Sequence, residues 1–151
     1  MKTITKEELK LVLKNHKIYL ETDDESNRDE SKRADLSHYD LRDADLSYVN
    51  LSNANLEHAD LSCANLSYVN LRYANLRNAN LIEADLSNAN LRHADLRYAD
   101  LSFADLSHAD LSFANLSKAN LRHADLSEAD LSDTDLSLSD FRCADLRKAR
   151  K

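Results

Sequence analysis

The chain has 151 residues and a formal net charge of −7 from 27 acidic and 20 basic side chains: one domain's length, with no broad electropositive surface for nucleic acid. Its two cysteines, Cys63 and Cys143, make no disulfide framework, and no apolar run approaches the roughly 20 residues of a membrane span. Glycine and proline are both absent, so turns must come from Asp, Asn and Ser, which hydrogen-bond their own backbone.

The opening stretch MKTITKEELKLVLKNHK is too charged for a secretory signal, so a cytoplasmic protein with reduced thiols is expected. Thr5-Lys6-Glu7-Glu8 reads as a capping box, and a helix from Lys6 to Leu20 follows. Leu9, Leu13, His16 and Leu20 share one narrow stripe flanked by Val12 and Tyr19, with Leu11 and Ile18 on the other side. Such a stripe needs a surface to cover, and the open start of the next region is the nearest. Residues 21–33 carry nine charges in thirteen positions and read as a solvated linker, so 1–33 forms a capping helix with a charged linker.

From Ala34 the chain counts in fives, with 23 consecutive pentapeptides centred on Leu36 through Leu146 and only Phe141 replacing leucine. A helix would spread these leucines around its circumference, and a strand would alternate them between faces. A chain that turns after every five residues brings each leucine inward from its own short side. The period alone thus gives a turning solenoid with leucine inside, its coils stacked at the β-sheet spacing of about 4.8 Å. The repeats occupy 34–149, leaving 150–151 as a basic tail.

The motif resembles that of the pentapeptide-repeat family, A-[DN]-L-x-x. That resemblance implies an all-β solenoid, a right-handed quadrilateral β-helix of nearly six coils, with the leucine and the small residue two before it inside. The segment Lys14-Asn15-His16-Lys17-Ile18-Tyr19-Leu20 is similar to the family's K-H-x-x-W-L capping pattern, which adds an N-terminal α-helical cap. Tyr39, Val49 and Val69 replace the inward alanine early, and Thr134 and Ser139 replace it late. Beside those last two, the outward Leu138 and the central Phe141 mark a candidate end interface, so the chain is a monomer or an end-to-end homodimer.

Residues twenty apart share outward columns, such as Ser47 through Ser127, Glu57 with Arg77 and Arg97, and Arg72 with Arg92. His38 and His58 stack without a third ligand, so no metal site is expected, and Cys63 and Cys143 lie about 19 Å apart, too far for a disulfide. A convex solenoid offers no catalytic pocket, so neither enzymatic activity nor a cofactor is expected. Tyr98, Phe103, His108 and Phe113 make a belt of rings around one coil.

Residues 94–146 hold eleven acids against four bases. Over about 13 Å of rod this is about one net charge per 1.8 Å, close to the ~1.7 Å of duplex DNA. The candidate acidic partner-binding face is Asp95, Asp100, Asp105, Asp110, Asp125, Asp130, Asp135, Asp140 and Asp145. Two functions follow: a non-enzymatic scaffold presenting side-chain columns to a protein partner, or, as the resemblance implies, a DNA mimic that inhibits or protects DNA gyrase or another topoisomerase. Direct binding to nucleic acid or a membrane is not expected.

Overall fold

The computed structural model describes residues 1–22 and 28–151. Its repeats are best understood by following the backbone amides of one of them, residues 74–78. Ala74 N–H donates to the Leu71 carbonyl at 3.0 Å, closing a turn. Asn75 N–H reaches back to the Ala54 carbonyl at 3.0 Å, while Leu76 and Asn78 reach forward to the carbonyls of Asp95 (2.8 Å) and Arg97 (3.0 Å). The fifth amide, that of Arg77, donates to the Asn75 side-chain oxygen at 3.2 Å. All five donors are satisfied, three of them by a neighbouring coil. An Asp or Asn before the leucine is therefore required by backbone accounting.

Parallel bridges join residues twenty apart from Asp35↔Asn55 to Asp130↔Arg150, forming four ladders that start at Asp35, Asp40, Asp45 and Asn50. Each side contributes one bridging residue, so the repeat region holds isolated bridges instead of the longer strands of an ordinary β-sheet. The reason is the turn. The second residue after each leucine has φ between 55° and 63° at all 23 repeats, and none is glycine. Left-handed backbone there breaks every side after a few residues. None of those positions holds Val, Ile or Thr, whose branched Cβ tolerates this conformation worst.

The core is a stack of leucines and alanines, with Leu36 through Leu131 buried together with most of the inward alanines. Val69 is also buried, whereas Tyr39 and Val49 pack against the stack from its partly open start.

Helix α1 spans Lys6–Glu21 and begins with the expected box: Thr5 Oγ1 accepts from the Glu8 amide, and the Glu8 carboxylate accepts from the Thr5 amide at 2.8 Å. Ile4, Leu9, Val12 and Leu13 cover the start of the leucine stack, while Leu11 and Ile18 stay exposed. His16 and Tyr19 are buried and stacked at 5.7 Å.

Three features at the ends differ from expectation. Strand β1 (Lys2–Thr3) pairs in parallel with β2 (Tyr39–Asp40), adding the chain's first residues to the edge of the first coil. The linker is partly structured: Glu30–Lys32 form a 3₁₀ turn capped by Asp29, and Arg28 lies over the Tyr19 ring at 5.1 Å, while residues 23–27 of the expected linker lie outside the described residues. Arg150 is no tail residue, since it bridges Asp130 and its carbonyl accepts from the Leu131 amide at 2.7 Å.

Candidate protein-interaction face

The nine candidate aspartates fall on all four ladders. Asp95 and Asp135 lie on the first, Asp100 and Asp140 on the second, Asp105, Asp125 and Asp145 on the third, and Asp110 and Asp130 on the fourth. Only the third brings several together, where Asp85, Asp105, Asp125 and Asp145 follow one another through consecutive bridges. The expected acidic face is thus a ring of carboxylates containing one continuous column.

Every one of these carboxylates also shapes the backbone by accepting the amide two residues on, as in Ser107 N–H to Asp105 Oδ1 at 2.8 Å. Several are neutralised as well. Arg97 Nε donates to Asp95 at 2.8 Å, Arg142 Nε to Asp140 at 2.8 Å, and Arg147 Nε to Asp145 at 2.8 Å. Arg150 pairs with Asp130, and Lys148 donates to Glu128 at 2.9 Å. The bond from Arg142 holds the Asp140 pKa down at about 2, and the bond from Arg150 holds Asp130 far below the usual carboxylate range. Asp135 is lowered by the hydroxyl and amide of Ser137. A charge count ending at residue 146 misses this neutralisation because Arg147, Lys148 and Arg150 return beside acids of their own or the preceding coil.

Asp85, Asp105 and Asp125 have no ion pair among the described residues and follow one another on one ladder, whereas Asp100 and Asp135, likewise without an ion pair, stand apart on others.

Leu138 is 80% exposed on the last coil, and Leu136, Phe141 and Leu146 are only partly buried where the leucine stack opens. Thr134 and Ser139 direct their hydroxyls to the carbonyls of Leu111 and Leu136, satisfying themselves where alanine needs nothing.

The aromatic belt resolves into columns. Tyr73, His93 and Phe113 form a continuous stack with centroids 4.8 and 5.0 Å apart, and Phe103 stacks on His123 at 4.8 Å. His38–His58 and Tyr48–Tyr68 stack at 4.9 Å. The one-coil rise sets each spacing, since equivalent positions twenty residues apart project in parallel. No group of three or more His, Cys, Asp or Glu is placed to hold a metal among the described residues, and both cysteines are free and exposed. No helix among them is long and apolar enough to cross a membrane.

A family model described as pentapeptide repeats (8 copies) matches residues 40–77, 74–112 and 114–150. Among solved structures, the chain is similar to the pentapeptide repeat protein Rfr23 of the cyanobacterium Cyanothece 51142, with 37% identity over 68% of this chain and 63% of that one, at a TM-score of 0.44. It thus spans less than two thirds of the length of Rfr23. It is also similar to HetL of Nostoc sp. strain PCC 7120, a pentapeptide repeat protein involved in heterocyst differentiation regulation (30% identity, 77% and 73% coverage, TM-score 0.30). QnrB1, a plasmid-mediated fluoroquinolone resistance protein, matches at 22% identity over 74% and 70%, with a TM-score of 0.41. A comparison with curated proteins returned no match.

Proposed function

Since the chain belongs to the pentapeptide-repeat family, we propose that its twenty-residue coils form a right-handed quadrilateral β-helix serving as a non-enzymatic scaffold, whose outward columns are read by a protein partner. One observation carries this reading: every amide of a repeat is satisfied within the wall, so the two outward positions are free of structural duty apart from the left-handed backbone of the second. Identical geometry at each coil turns those positions into ordered rows, and rigid rows bind with little ordering cost. A recess of about 470 Å³ between α1 and the first coil is lined by Ile4, Leu9, Leu13 and Leu41 with flanking Lys and Asp side chains, and the Thr5 hydroxyl at its edge is engaged by Glu8 in the helix cap.

The test is a comparative capture experiment. Wild type and a variant with Ser and Asn at the outward positions of 72–113 are used as baits at physiological salt. A protein retained by the wild type and lost by the folded variant supports the scaffold. No protein retained by the wild type overturns it.

The unpaired column Asp85, Asp105 and Asp125 favours a second reading, a DNA mimic acting on gyrase. A supercoiling assay with and without a quinolone tests it: inhibition or protection abolished by Asp105→Asn with Asp125→Asn supports the mimic, and no effect at large molar excess removes it for the gyrase used.

A further inference from the structure

Eight arginines occupy the first outward position of a repeat, and the residue two before each divides them evenly. Arg42, Arg97, Arg142 and Arg147 follow Asp, whereas Arg72, Arg77, Arg92 and Arg122 follow Asn. Each of the first four forms a two-pronged pair with its own aspartate, as in Arg42 Nε to Asp40 Oδ1 at 2.9 Å and Nη2 to Oδ2 at 2.7 Å. None of the second four pairs with its own asparagine side chain, which accepts only the backbone amide. The chemistry is direct: a guanidinium fork needs two acceptors, and an amide offers one acceptor and one donor. A single residue in each repeat therefore decides whether its arginine is neutralised within its own turn.

Three of the Asn-linked arginines cluster on the fourth and first ladders, on either side of the turn at Tyr73. Arg92 finds Ser112 Oγ at 2.6 Å and Asp110 at 3.7 Å. Arg72 and Arg77 have no carboxylate within ion-pair distance among the described residues, and the Nε atom of each is buried without a hydrogen-bond partner. The Arg72 guanidinium lies over the Tyr73 ring at 5.3 Å and that of Arg92 over Phe113 at 5.2 Å. Through His93 those rings form one continuous rib. The result is a cationic, ring-backed patch on a chain that is otherwise acidic.

We propose that this patch docks a short acidic peptide segment of the partner, an inference that rests on the scaffold reading above. Carboxylates supply the paired acceptors that Asn70 and Asn75 withhold. The height of the patch favours a short segment over a nucleic-acid strand. Arg72 and Arg92 are one coil apart, about 5 Å, within a Debye length of about 10 Å. A longer polyanion following the turn meets Glu57 on the preceding coil and Asp110 and Asp130 on the following ones.

The experiment measures fluorescence anisotropy of a labelled octaglutamate peptide, with a labelled ten-residue oligothymidylate in parallel, at low and moderate salt. Arg72→Ser with Arg77→Ser removes the cations and installs the residue found elsewhere at equivalent positions, such as Ser52 and Ser117. Asn70→Asp with Asn75→Asp keeps both arginines and supplies each with its own carboxylate. Arg42→Ser with Arg142→Ser is the charge-matched control. We expect saturable peptide binding that is weakened at least tenfold by either of the first two variants and less than twofold by the control. Absence of peptide binding at low salt, equal loss in the control, retention in the Asn→Asp variant, or tighter binding of the oligothymidylate overturns the proposal. Its failure leaves the capture test of the scaffold intact, because that test compares proteins held by any outward column.

Discussion

The amide of Ala34, the first residue of the first repeat, donates to Nδ1 of His16 at 3.1 Å. The imidazole thereby supplies to the first repeat the acceptor that the preceding leucine's carbonyl supplies in the others, as Leu71 does for Ala74. Accepting at Nδ1 requires a neutral ring protonated at Nε2, and burial pushes its pKa down, against an opposing pull from the Ser52 backbone. A depressed histidine pKa means that the unfolded chain binds the proton more readily. The contribution of His16 is thus fully present above the ordinary histidine value near 6.5 and is lost as pH falls below it, levelling off under the folded pKa.

We therefore expect the stability difference between wild type and His16→Phe to shrink as pH falls from about 7.5 to about 5.5. At neutral pH the variant loses about 1–3 kcal/mol, since the buried Ala34 amide has no acceptor. Urea titrations at the two pH values read both quantities, and a difference that is constant with pH refutes the assignment.

The residue before each leucine gives a second test. Asn80 Oδ1 accepts the Ile82 amide at 3.2 Å, and its Nδ2 donates to Asp60 Oδ1 on the previous coil at 3.0 Å. Asn80→Ala removes both bonds and is expected to cost about 1–3 kcal/mol. Asn80→Asp keeps the acceptor but exchanges the donated bond for repulsion from the Asp60 carboxylate, so with that repulsion screened at high salt it is expected to fall between wild type and Ala. Equal stability of the Ala and Asp variants by chemical denaturation removes the amide-acceptor role.

How far the residues disclose this architecture depends on the distance over which their partners act. The central leucines and their alanines announce themselves by period, and the capping box by four adjacent residues. Neutralisation of Asp130 by Arg150 is a contact across one coil, invisible to a charge count along the chain. The pairing of Lys2–Thr3 with Tyr39–Asp40 crosses the linker and has no periodic signal at all. The Asp–Arg and Asn–Arg distinction was legible two residues apart, yet it acquires meaning only once the outward side chains are seen to fold back on their own turn. Candidate aspartates chosen by charge alone were consequently spread over four ladders.

The left-handed turn position makes a local prediction. Glu83 has φ 58° at an exposed turn, where asparagine is tolerated best among residues with a side chain and a β-branched residue worst. Glu83→Asn is expected to raise stability by a few tenths of a kcal/mol, and Glu83→Val to lower it by about 1–2 kcal/mol. The Glu83 contact with Cys63 is a weak sulfur bond at 3.9 Å and does not reverse that order. Thermal melts of the two variants at equal concentration decide the matter, and a valine variant as stable as the asparagine one contradicts the strain argument.

The last prediction concerns the end of the rod. Helix α1 and β1 close the first coil, whereas among the described residues the amides of Leu136, Phe141 and Leu146 have no backbone acceptor of the kind that Asp135 gives Leu116 at 2.8 Å. These open donors surround the partly buried end of the leucine stack, with Leu138 protruding beside it. An edge with free amides around an apolar centre is a template for another edge of the same kind, so we expect two copies to associate through this end at high protein concentration. The contact is apolar and the net charge is −7, so added salt should strengthen association by screening repulsion, the opposite of its effect on the arginine patch. Light scattering across concentration and salt measures it. Leu138→Asn, a substitution suited to φ 60°, should weaken the dimer without unfolding the coil. A wild-type monomer at high concentration in both salts shows that the open end is solvated as it stands.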